Sequence, residues 1–86
     1  MPVIVQRYES MQYTGTNGPE VGDWLGNAEF AGVTEDGSLQ LTVNSDGTIF
    51  TTRIPQGWWV LRYDGRHEGT VSPEDYPRRY YEIPGT

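Results

Sequence analysis

Cysteine and lysine are both missing from this 86-residue chain, histidine occurs once, and phenylalanine only twice. Without cysteine there are no disulfides and no thiolate metal ligands, so stability must come from packing, tight turns or association between copies. A single histidine leaves any metal to an oxygen-rich site, and the scattered Asp and Glu show no loop of ligand spacing. No metal and no cofactor is expected. No apolar run approaches the ~18 residues of a membrane span, and the opening Met1-Pro2-Val3-Ile4-Val5-Gln6-Arg7 lacks the basic flank and apolar length of a signal peptide. The expectation is a cytoplasmic protein without membrane contact.

The formal net charge is −6, from 12 acidic residues against 6 basic ones. Duplex-binding surfaces need a basic footprint that displaces counterions, so broad nucleic-acid binding is not expected. All the basic residues are Arg, which with 11 Gly is the output of GC-rich codons. A chain this short is one domain, 1–86, and buries only ~60–65% of its unfolded surface, leaving a thin core and little room for a deep pocket.

Three Asp-Gly pairs, Asp36-Gly37, Asp46-Gly47 and Asp64-Gly65, sit between apolar runs. Such pairs supply the positive φ that two-residue hairpin loops require. A loop at Asp46-Gly47 sets Val43 against Phe50 and Leu39 against Ile54. One face of a hairpin over 39–54 then carries Leu39, Leu41, Val43, Phe50 and Ile54 as core, and the other carries Gln40, Thr42, Thr51 and Arg53 with Ile49. The same register at Asp64-Gly65 pairs Tyr63 with Arg66, Arg62 with His67, Leu61 with Glu68 and Val60 with Gly69. Here both faces hold large apolar groups, Trp59, Leu61 and Tyr63 on one, Trp58, Val60 and Val71 on the other. A strand apolar on both sides is sandwiched between layers or contacts a partner, and this points to a homo-oligomer.

Residues 3–8 and 10–14 read as one strand or a bent pair. Pro19 suits a first helical turn, Val21, Trp24 and Leu25 share a face, and Gly26 is a stop, giving a short helix near 19–25. Phe30 and Val33 lie in a short strand within the ambiguous stretch 27–37. Ser72–Tyr76 reads as a turn or single helical turn, and Arg79–Ile83 as a final strand. The fold class is mainly β, a small α+β protein: an antiparallel sheet or small open barrel of about five or six strands with one short helix.

Two segments carry a resemblance. Glu9-Ser-Met-Gln-Tyr-Thr-Gly-Thr-Asn-Gly-Pro-Glu-Val-Gly-Asp-Trp-Leu-Gly26 and Gly57-Trp-Trp-Val-Leu-Arg62 resemble a family of small uncharacterised phage and prophage proteins, in which a strand, a Gln-aromatic-Thr-Gly turn and a short helix precede hairpins with a Gly-x-Trp-aliphatic strand. The matching motifs are turns and core positions, so the resemblance implies a fold and no catalytic signature. The chain departs from the family pattern at Arg66-His67-Glu68-Gly69.

His67 beside Glu68 and Asp64 has the pKa for general acid-base work of the hydrolase type, yet no Ser, Cys or Lys nucleophile pairs with it by spacing, and catalysis is not expected. The Arg and aromatic residues of the last third form the better candidate. Arg62, Tyr63, Arg66, His67, Arg78 and Arg79 combine forked donors for phosphate or carboxylate with flat faces for stacking, and Trp58, Tyr76 and Tyr80 are candidate interface residues. Such a set suits a small anionic, nucleotide-like ligand or a host protein. The function expected is that of a non-enzymatic phage or prophage accessory protein that binds and interferes with a host process or host defence. The alternative is a structural or virion-associated assembly part.

Overall fold

The computed structural model describes Pro2 and residues 8–80. The order of elements is β1 (Glu9–Gln12), α1 (Gly18–Trp24), β2 (Ala28–Val33), β3 (Leu39–Ser45), β4 (Thr48–Ile54), β5 (Trp59–Tyr63), β6 (Arg66–Val71) and α2 (Tyr76–Arg79). The strands make two antiparallel three-stranded sheets, β1-β5-β6 and β2-β3-β4, and neither closes into a barrel. The protein is therefore a small, mainly β, α+β fold. Residues 3–7 and 81–83 of the expected first and last strands lie outside the described residues, and Arg79 closes α2 instead of opening a strand.

The hairpin β3–β4 has the register that Asp46-Gly47 dictates, from Ser45 opposite Thr48 to Leu39 opposite Ile54. Asp46 and Gly47 both take positive φ, 52° and 92°, the backbone that matches a two-residue loop to strand twist. Leu39, Leu41, Val43 and Ile54 are buried as expected, but Phe50 is 42% exposed. Phe50 is near the loop end of an edge strand, so the ~3 kcal/mol or more of a buried Phe→Ala change does not apply to it. Asp36-Gly37 differs as well. Thr34 pairs with Ser38 through Thr34 N to Ser38 O, leaving a three-residue loop in which Gly37 takes φ 84° and Asp36 does not.

α1 lies on the inner face of β2-β3-β4. Val21 and Leu25 are buried, spaced to share one helix face. Gly18 and Gly22 let the helix approach this closely: a Cβ on Gly18 would stand 2.9 Å from Leu39 Cδ1, and one on Gly22 would stand 3.0 Å from the Phe30 backbone nitrogen. Asn17 holds the helix entrance, its amide donating to Gln12 O at 2.9 Å and its carbonyl oxygen accepting from Thr14 N at 2.9 Å.

The main core consists of Tyr13, Val21, Leu25, Leu39, Leu41, Val43, Ile54 and Val60. Val60 contributes from β5, and its cross-strand partner Met11 packs against the same cluster. The opposite face of β1-β5-β6 has a smaller core of its own. Leu61 and Val71 are buried there beneath Tyr76 of α2, whose ring stacks on Trp59 with centroids 4.0 Å apart and whose hydroxyl bonds Ser10 Oγ at 2.8 Å. The two apolar faces of β5 are thus covered by layers of the same chain.

The hairpin β5–β6 keeps the expected register only at its tip, Tyr63 opposite Arg66 and Arg62 opposite His67. Glu68 is then left over as a bulge, so Leu61 faces Gly69 and Val60 faces Thr70 instead of Glu68 and Gly69. One extra residue here keeps Glu68 out of the ladder and brings Val71 opposite Trp59, onto the side of the smaller core.

Tyr13 joins the two halves. Fully buried, it donates its hydroxyl to Gly37 O at 2.8 Å, while its backbone bonds Trp58 O and Gly57 N at 2.9 and 2.7 Å. Replacing Tyr13 with Phe should keep the ring and leave the Gly37 carbonyl without this donor, lowering stability by about 1–2 kcal/mol. Urea unfolding of the two proteins at neutral pH measures the loss, and equal midpoints would show that the hydroxyl is dispensable.

Candidate functional site

The six residues proposed as a site do not gather on one edge. Arg62 and His67 lie on the face of β5–β6 shared with Val60, turned toward α1 and the main core, whereas Tyr63 lies on the face of Trp59 and Leu61. Arg66 is at the hairpin tip, and Arg78 and Arg79 are in the last turn of α2.

Arg62 serves the fold. Its guanidinium stands over the Trp24 ring at 4.2 Å, donates to Trp24 O at 2.7 Å, and pairs with Glu9 at 2.9 Å. It satisfies a carbonyl left over at the end of α1 and ties that end to β1 and β5. Arg66 pairs with Asp46 at 2.8 Å, linking the tips of the two hairpins, and Asp46 holds its pKa above the usual arginine range. Arg53 pairs with Asp36, whose carboxylate also accepts from the Thr34 hydroxyl and the Ser38 backbone. The Thr34 hydrogen bond first, then Ser38 and the Arg53 charge, hold that carboxyl well below its ordinary range.

The segment Gly26-Asn27, which composition did not single out, joins the two sheets. Gly26 N donates to Gly65 O at 2.6 Å, and Asn27 Oδ1 accepts from His67 N at 2.8 Å. The Asn27 side-chain amide donates to Asn44 O at 3.1 Å, and the Asn27 backbone carbonyl accepts from Asn44 N at 2.8 Å. An Asn three residues past a helix, directly before a strand, is the trace this clamp leaves in the sequence. Beside it lies an open depression of about 630 Å³ between the hairpin tips, lined by Asn27, Asn44, Ile49, Asp46 and Arg66 among others. The polar groups along it are largely one another's partners.

Two described arginines remain. Arg78 and Arg79 are exposed and form no ion pair among the described residues. They immediately precede Tyr80, whose ring lies 5.9 Å from Tyr76 and 6.3 Å from Tyr8, while Tyr8 in turn lies 5.8 Å from Tyr63. Tyr8 and Tyr63 are 37% and 39% exposed, so the line of rings runs from the stack of half-buried Trp59 on buried Tyr76 out to the surface. Of the expected interface residues, Tyr76 is buried in that stack, Trp58 packs against the main core, and Tyr80 is half-buried. The apolar second face of β5, which pointed to a second copy, is covered by α2.

His67 is half-buried, and its Nε2 is enclosed without a hydrogen-bond partner among the described residues. Burial holds its pKa below the ordinary value, and Glu68 opposes that only in part. Among the described residues, no three His, Cys, Asp or Glu side chains stand close enough to hold a metal ion, and no helix is long and apolar enough to cross a membrane.

The lowered pKa fixes a sign. The unfolded chain takes up a proton near pH 6.5 while the folded chain resists it, so stability should fall as pH drops below about 6.5. In urea titrations at pH 7.5, 6.5 and 5.5 the midpoint should decline for the parent and decline less for His67→Gln. Parallel profiles would assign the acid loss to other groups. No protein-family model, curated protein or solved structure matches this chain, so its own side chains carry the functional reading.

Proposed function

We propose that this is a non-enzymatic binding protein, a phage or prophage accessory protein that interferes with a host process or defence, and that it recognises an anionic group at the outer end of the tyrosine line. The observation that carries this reading is the distribution of arginine charge. Among the described arginines, three are paired with Asp36, Glu9 and Asp46, and Arg78 and Arg79 form no ion pair. Arg78 and Arg79 immediately precede Tyr80, whose ring adjoins that of Tyr8, so forked donors and flat aromatic surface come from one short stretch, the combination that suits a phosphate- or carboxylate-bearing ligand or an acidic patch on a host protein. In a chain of net charge −6 such a patch attracts locally without making the whole protein a nucleic-acid binder. The site is thereby narrowed to Tyr63, Arg78 and Arg79 with Tyr8 and Tyr80, and Arg62, Arg66 and His67 are assigned to the fold.

Native mass spectrometry of the protein purified from its host background should show an added mass, either a small molecule or a host protein. The double variant Arg78→Ala, Arg79→Ala should lose it while unfolding within about 0.5 kcal/mol of the parent, as exposed substitutions do. A double variant that folds and retains the added mass places the binding surface elsewhere. A parent that carries only further copies of itself favours the alternative, an assembly part.

A further inference from the structure

We propose that two copies of the chain join edge to edge through β4, antiparallel and centred on Thr51, making one continuous six-stranded sheet. This interface is separate from the arginine and tyrosine site, and either can fail without the other.

Among the described residues each sheet has two outer strands, and natural proteins guard such edges with short length, bulges, charge or a covering element. Three of the four here are guarded. β1 is four residues long, β6 has the Glu68 bulge and the charges of Arg66 and Glu68, and β2 has a bulge at Ala31 with α1 packed against it. Among the described residues, β4 has none of these devices. It runs seven residues, Thr48-Ile-Phe-Thr-Thr-Arg-Ile54, without a break in register and without proline, and its first four residues are all exposed. β-branched and aromatic residues dominate it, the composition that favours strand pairing. Its one charge, Arg53, is neutralised by Asp36.

Charge also selects this edge. Two copies at net −6 repel each other, and the repulsion is least where acids are absent. From Gly47 to Tyr63 the sequence contains no Asp or Glu.

The register follows from the hairpin. Ser45 and Thr48 close the two-residue loop as a hydrogen-bonded pair, and such pairs alternate along an antiparallel ladder. Thr48, Phe50, Thr52 and Ile54 therefore bond inward to β3, while the backbone N–H and C=O of Ile49, Thr51 and Arg53 point outward from the sheet. Only pairing centred on Thr51 matches all three, with Thr51 opposite Thr51 and Ile49 opposite Arg53 on both sides of the axis. It also keeps the two Arg53 residues apart and brings the half-exposed Phe50 rings into diagonal proximity across the junction, at the ~7–8 Å spacing over which aromatics still touch. This isologous contact closes on itself and gives a dimer rather than a fibre.

Sedimentation equilibrium of the intact chain at tens of micromolar should return twice the monomer mass. Thr51→Pro removes an outward donor without touching the β3 ladder, so it should give a folded monomer. Ile49→Lys, which sets like charges against Arg53 twice, should weaken the dimer at least about ten-fold, whereas Ile49→Glu should preserve it. Since the chain has no cysteine, Thr51→Cys should oxidise to a covalent dimer and Thr48→Cys should not. A monomeric parent, or a dimer indifferent to both Thr51→Pro and Ile49→Lys, overturns the proposal, and so does equal cross-linking of the two cysteine variants.

Discussion

Val60 and Leu61 are neighbours in β5, point to opposite faces of one sheet, and are both buried. Covering both sides of a single five-residue strand decides most of the architecture. One side takes α1 and the meander β2-β3-β4, and the other takes the segment that follows β6, folded back as α2. The result is two thin cores instead of one, which is what a chain of this length without covalent staples can build when its aromatic residues exceed what one layer accepts. Arg62 follows from the same constraint. Placed next to two buried residues and itself half-buried, it lies over Trp24 with its charge answered by Glu9 and by the end of α1.

The local elements were legible in the sequence because local chemistry dictates them. Asp46-Gly47 fixes the whole ladder of β3–β4, and Pro19 with Val21 and Leu25 places α1 within a residue of its observed span. What escaped was decided by residues distant in the chain. Glu68 leaves the ladder as a bulge, and the turn after Tyr63 encodes no sign of that. Phe50 alternates correctly with Ile54, yet it is 42% exposed while Val43 opposite it is buried, and alternation cannot show where the covering layer stops.

The candidate site was legible only as a composition. The last third of the chain concentrates Arg and aromatic residues, yet their destinations depend on which carboxylates stand nearby. Arg66 meets Asp46 because Gly26 and Asn27 draw the two hairpin tips together, a contact with no counterpart in spacing or periodicity. Arg78 and Arg79 were marked only as two of six. Their distinction, the absence of an ion pair among the described residues, is a property of the folded surface.

The antiparallel register of β1 bears on how the molecule assembles. Glu9 lies opposite Arg62, 53 positions along the chain, whereas β3 and β4 are joined by two residues. Loop closure costs entropy in proportion to the logarithm of the span, so the meander can zip locally while the ends of the polypeptide are still apart. The meander by itself is unfinished. Tyr13 and Val60, both members of the main cluster, arrive only when the N-terminal strand meets the strand that follows Trp58, so one late, long-range closure completes the interior of both halves at once and makes the small fold cooperative.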